Sequence, residues 1–207
     1  MADALNAFVV LFIVLDPVGV AWMFAVLTVE NSRQQQRRMA IRGVLLAGAI
    51  MYVFFFLGDS LLAWLGISLS AFRIAGGILL FLLAMEMVFA RHSGIRSTTR
   101  GEQHEAESKN DISVFPLAFP LLAGPGTLTT VLLIVGQSHT MLDRVVMGGV
   151  ILVMCVLTLL FLLVARRLSA SLGQTGANVI SRLLGLILSA LAVQYVIDGI
   201  RQSFSVS

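Results

Sequence analysis

PLAFPLLAGPGTLTT, residues 116–130, and LDPVG, residues 15–19, decide how this chain is built. Each puts a Gly/Pro break near the middle of an apolar run long enough to cross a bilayer. Lipid cannot satisfy the backbone groups that such a break frees, so it survives only where it faces protein or a wet cavity. Two breaks in corresponding positions of two halves point to the binding site of a carrier.

The composition supports a membrane setting. Of 207 residues, 58% are hydrophobic and only 12% charged. A water-soluble domain of this size carries more charge on its surface. The net charge is only +3, and the basic residues fall in short links. They read as topology signals rather than as a nucleic-acid footprint. Cys155, the single cysteine, excludes an internal disulfide and reads as a small core or lipid-facing residue. No basic residue precedes Arg33, and Asp16-Pro17 interrupts the first apolar run, so that run is expected to be a span rather than a cleavable signal.

Six apolar segments follow, near residues 4–29, 43–65, 71–90, 112–136, 145–165 and 179–200. Eleven of the fourteen Lys and Arg residues lie in the links after the first, third and fifth segments, against Arg73, Arg144 and Arg201 elsewhere. The positive-inside rule then predicts a cytoplasmic Arg91–Asp111 linker and both termini on the opposite side. The expected organisation is a single all-α membrane domain: a first three-helix repeat over 1–90, the linker over 91–111 and a second repeat over 112–207.

The two halves resemble each other, with chance similarity between membrane helices as the alternative explanation. Asp16-Pro17 falls on Gly124-Pro125 at an offset of 108. At an offset of 109, Phe72-Arg73-Ile74-Ala75-Gly76 falls on Ser181-Arg182-Leu183-Leu184-Gly185. Three helices per half is an odd number, so the second half enters from the opposite side and the repeat is inverted, with helices one and four broken.

Asp16-Pro17 has a specific helical meaning. Asp is a strong N-cap, and Pro suits the first helical position, where its missing N–H would have been unpaired anyway. Gly124-Pro125 restarts a helix in the same way, with Gly126 and Thr127 in the first turn. Each restarted half-helix offers unpaired N–H groups and a partial positive charge, which bind anions without a basic side chain. Asp16, Pro17, Gly19, Gly124, Pro125, Gly126 and Thr127 are therefore the candidate substrate-binding residues. Gln194, polar and deep in AVQYV, is added as a cavity-lining candidate. Proline kinks used only for packing would explain either break taken alone.

Other polar residues are ambiguous. Asp16 is costly inside a membrane, which marks it as functional, although capping its own half-helix also accounts for it. Arg73 and Arg182 lie near segment ends, where snorkelling explains them. Ser181, Gly185 and Ser189 form a small-residue ridge of the kind used for close helix packing. No catalytic motif is present, and His92, His104 and His139 fall in or near polar links, so neither an enzyme, a metal site nor a cofactor is expected.

FRIAGGILLFLLAMEMVF, PLAFPLLAGPGTLTT and ISRLLGLILSALAVQYVIDGI resemble the MarC family of bacterial six-helix inner-membrane proteins. The resemblance runs from Leu11 to Arg201. It implies a 3+3 inverted repeat with a small-substrate site between broken helices one and four. For some members the implied substrates are neutral amino acids such as glycine and alanine. This chain carries Asp16 where many members have Asn before the proline. The leading expectation is thus a secondary transporter of small zwitterionic amino acids, with a proton or sodium ion as the open choice of coupling ion. A non-transporting membrane sensor or assembly partner, and a channel, are the competing readings.

Overall fold

The computed structural model describes residues 2–89, 111–136 and 140–204. Residues 90–110, which hold nearly all of the expected linker with His92 and His104, lie outside them, as does His139. The described chain runs α1 (Ala2–Leu15), α2 (Pro17–Leu27), α3 (Arg33–Trp64), α4 (Leu69–Phe89), α5 (Ser113–Leu122), α6 (Pro125–Val135), α7 (Met141–Leu163) and α8 (Ala165–Phe204), with no strand among these residues. Helices α1 and α2 together make one apolar span, Ala4–Leu27. Helices α3, α4, α7 and α8 each supply another, and α5 with α6 forms a sixth that is bent by 54°. The protein is an all-α polytopic membrane protein whose first and fourth spans are broken.

Where helices outrun the apolar segments, capping explains it. A capping box of Ser32 and Gln35 starts α3 ten residues before its apolar stretch, so its first turns are polar. Thr140 and Asp143 do the same for α7. Helix α8 begins at Ala165, and Gly173, at φ 62°, kinks it before the main span. Hydrophobicity marks only the part of a helix that lies in lipid, so these extensions carry no apolar signal.

Segment α5 departs most from a regular helix. Its backbone is drawn out into i→i+5 turns, with Leu117 N–H donating to Ile112 O at 3.1 Å and Ala123 N–H to Ala118 O at 2.9 Å. Phe115 and Phe119 are extended, each followed by a proline whose ring disfavours the α conformation before it. Both Phe–Pro peptide bonds are cis. The irregularity of the fourth span therefore covers the whole FPLAFPLL stretch and not only Gly124-Pro125.

The packing is reciprocal. Helix α3 packs on α5 and α6, α7 packs on α1 and α2, and α4 pairs extensively with α8. The α4–α8 seam is made of small residues seven apart: Ser70, Gly77 and Ala84 on one helix, and Gly185, Ala192 and Gly199 on the other. A β-carbon on Gly77 would stand 2.7 Å from Ala192 O and 3.1 Å from Val196 N. One on Gly185 would stand 3.0 Å from Ala84 O and 3.1 Å from Val88 N. The backbones touch, as small residues allow between membrane helices. A cluster of Val10, Ile13 and Val14 from α1 with Leu80, Leu83, Leu188 and Ala192 ties this pair to the first broken span. The outer surface is apolar, with Leu45, Phe56, Val145 and Leu186 exposed, as a lipid-facing surface requires.

Candidate functional site

The first break is a single residue. Asp16 takes the left-handed conformation (φ 46°, ψ 64°), in which Asp is more tolerant than most residues. Its own N–H still closes α1 on Phe12 O at 3.0 Å, while its C=O accepts the first bond of α2 from Val20 N–H. One residue thus ends one half-helix and caps the next. Asp16 is 3% exposed. Its Oδ1 accepts the Gly19 N–H at 3.1 Å, and its Oδ2 accepts the Ser181 hydroxyl of α8 at 2.8 Å. A buried carboxylate needs such donors, and here they come from both its own helix and another.

The second break lacks this device. Gly124 stands at the N-cap of α6 in an extended conformation with no side-chain cap bond. Pro125 follows at the first helical position, and Leu128 N–H bonds back to Gly124 O at 3.0 Å. The N–H groups of Gly126 and Thr127 lie ahead of the first intrahelical acceptor. Gly124, Gly126 and Thr127 are buried, whereas Pro125 is half-buried. Two half-helix N-termini therefore differ: α2 is capped by its own acid, and α6 is uncapped.

The breaks lie beside each other. A β-carbon on Gly126 would stand 3.6 Å from Val14 Cγ1, two residues before Asp16, and 2.7 Å from Leu83 Cδ2 of α4. The approach to the α6 N-terminus is therefore filled by apolar side chains. Leu15 and Leu122, the last residues of α1 and α5, also line one cavity of about 10 Å³, with Val44, Ala47 and Met51 of α3 and Cys155 and Thr158 of α7. It has room for about one water. The Thr158 hydroxyl is buried with no hydrogen-bond partner. None of Asp16, Gly19, Gly126 or Thr127 lines this cavity.

Gln194 stands apart from this group. Its side chain is exposed, and its amide donates to Asp198 Oδ1 at 2.8 Å, so it serves α8 itself rather than lining a cavity. Depth along an apolar segment does not say which face a residue occupies. The Ser181–Gly185–Ser189 ridge also divides: Gly185 packs on α4, Ser189 bonds back to Leu186 O, and Ser181 holds Asp16. Ser181 is the functional candidate that sequence reasoning assigned to packing. Among the described residues, no group of three or more His, Cys, Asp or Glu side chains could hold a metal.

Comparison with known proteins agrees with this architecture. The family model described as MarC family integral membrane protein matches residues 1–204. The UPF0056 membrane protein YvbG of Bacillus subtilis is 36% identical over 202 residues, covering 97% of this chain and 95% of that one. The UPF0056 inner membrane protein YhgN of Escherichia coli K12 is 34% identical over 202 residues, covering 97% and 98%. A UPF0056 membrane protein of Aquifex aeolicus is 34% identical over 199 residues, covering 95% and 91%. No solved structure matches the chain. With a family match across nearly its whole length and relatives that share its extent, the chain belongs to the MarC family of integral membrane proteins.

Proposed function

We propose that this protein is a secondary transporter of small neutral amino acids such as glycine or alanine, here in a closed conformation. The observation that carries the reading is the contrast between two neighbouring half-helix N-termini. Asp16 already fills the favourable place for negative charge at α2, while the first turn of α6 has no such group. A zwitterion complements that pair: its carboxylate docks on the N–H groups of Gly126 and Thr127, and its ammonium turns towards Asp16 or the carbonyls freed at the breaks. Val14, Leu80 and Leu83 withdraw to admit it.

We also read the two halves as a duplicated, inverted arrangement, which fits the same function. Gly185, Ala192 and Val196 each stand 108 residues beyond Gly77, Ala84 and Val88, the residues they meet reciprocally. That is the offset relating Asp16-Pro17 to Gly124-Pro125, which supports a single 108-residue register for both halves in place of the 109 of the Arg73 and Arg182 match. The distribution of basic residues favours an inner-membrane protein with both termini outside the cytoplasm. Terminal reporter fusions active only in the cytoplasm would overturn that topology.

Equilibrium binding of glycine and alanine to purified protein is the test of the site. Binding that Gly126→Leu abolishes and Asp16→Asn weakens supports it; no binding of either amino acid overturns it. A non-transporting sensor or assembly partner is the second reading. It draws on the tight packing at Gly126 and the small apolar cavity beneath the breaks.

A further inference from the structure

We propose that the Asp16–Ser181 hydrogen bond is one of two alternating contacts, and that in the opposite conformation Arg73 takes at the start of α6 the place that Ser181 holds at the start of α2. The inference rests on the inverted arrangement proposed above, and it requires no particular substrate.

The 108-residue register identifies the partners. It carries Asp16 to Gly124, Gly19 to Thr127, and Ser181 back to Arg73. In the first half the contact is made: Ser181 Oγ bonds Asp16 and stands 2.9 Å from where a β-carbon on Gly19 would lie. In the second half it is not. Gly126 faces Leu80 and Leu83, two to three turns further along α4 than Arg73, and Gly76 faces Thr129. Equivalent stretches of sequence thus hold different registers on their neighbours. The breaks differ as well, since α5 and α6 are bent by 54° whereas α1 and α2 continue as one span. Exchanging the two registers between halves generates the second conformation of an inverted repeat.

The chemistry accounts for which register is held. Asp16 brings its own anion to α2, and Ser181 is a neutral donor, so that contact is complete by itself. Gly124 brings none, and its counterpart partner Arg73 is a cation whose Nε is buried without a hydrogen-bond partner. Arg73 against the positive end of α6 sets like against like. The first contact is therefore the one held at rest, and removing the cation, as Arg73→Cys does, shifts the population towards the second.

Cysteine cross-linking in the full chain in membranes tests this. In a Cys155→Ala background, the Arg73→Cys/Thr127→Cys pair is oxidised with and without Ser181→Ala. Cross-linking should be detectable, and releasing Asp16 by Ser181→Ala should raise it about fivefold, the population shift given by one lost hydrogen bond. Gly48→Cys with native Cys155 retained is the packing control, because a β-carbon there would stand 3.4 Å from Cys155 Sγ. If that control cross-links while the Arg73/Thr127 pair does not in either background, even with a flexible bismaleimide, the alternation is overturned. Failure of glycine or alanine to bind would sink the substrate assignment and leave this result standing.

Discussion

Val14 of α1 and Gly126 of α6 are neighbours across the two breaks: a β-carbon on Gly126 would stand 3.6 Å from Val14 Cγ1, at ordinary van der Waals contact. This contact brings the two breaks together and leaves Gly126 facing apolar side chains. Leu83 Cδ2, at 2.7 Å, is the end of a flexible side chain and can turn aside for a single methyl group. Gly126→Ala should therefore fold with a loss within about 1–3 kcal/mol, whereas Gly126→Leu should also block the α6 N–H groups. Thermal melts in detergent, set beside glycine binding for the two variants, separate these effects.

Asp16 combines three tasks: it occupies a left-handed position, caps α2 and receives Ser181. Asn tolerates the conformation and caps equally well. Asp16→Asn should therefore melt within about 1 kcal/mol of the parent protein, while Asp16→Ala, which loses the cap and strains the backbone, should lose about 1–3 kcal/mol. Equal losses for the two would mean that the carboxylate charge, and not the cap, holds the break together.

The α4–α8 seam predicts a contrast between glycines. At Gly77 an added methyl group meets backbone atoms, Ala192 O and Val196 N, which cannot turn aside. Gly149, in α7, has nothing within 4 Å. Gly77→Ala should destabilise by about 1–3 kcal/mol, whereas Gly149→Ala should be neutral or gain up to about 1 kcal/mol from helix propensity. Melting temperatures of the pair check this, and a tolerated Gly77→Ala would contradict the close seam.

Asp111, outside the spans, ties the start of α5 to α3. Its Oδ1 accepts the Ser113 N–H at 2.9 Å, and its Oδ2 meets Arg42 Nη1 at 2.9 Å. Hydrogen bonding from Ser113, and then Arg42, holds its carboxyl below the ordinary carboxylate range. A lowered folded-state value stabilises above the unfolded pKa of about 4 and loses that contribution as pH falls through the folded value. Both side chains are largely exposed, so the effect is small, under about 1 kcal/mol. Asp111→Asn should melt slightly below the parent near neutral pH, and the difference should close as the pH falls below about 4.

Much of this architecture was legible because breaks in membrane helices have few possible causes. Asp16-Pro17 and Gly124-Pro125 announce a cap and a restart through the chemistry of those residue types, and the structure places helix starts at both. The irregular α5 was only partly visible. Pro116 and Pro120 each force the residue before them out of the helix, but the path the segment then takes also reflects its packing on α3 and α2. What one sequence does not encode is facing. Gln194 lies deep in its span yet turns outward, and Ser181 looks like its ridge-mates yet meets Asp16. Letter matching between the third spans of the two halves pairs Gly76 with Gly185, while the backbone contacts are made by Gly77 and Gly185.

In the proposed transport cycle, the uncapped start of α6 receives the carboxylate of a small amino acid. Uptake and efflux of labelled glycine and alanine by the purified protein in liposomes, with and without proton and sodium gradients, test it most directly. Flux should exceed that of protein-free vesicles, be abolished by Gly126→Leu and be retained by Gly149→Ala. No flux of either amino acid in either direction under any gradient, from protein that melts cooperatively, would contradict it.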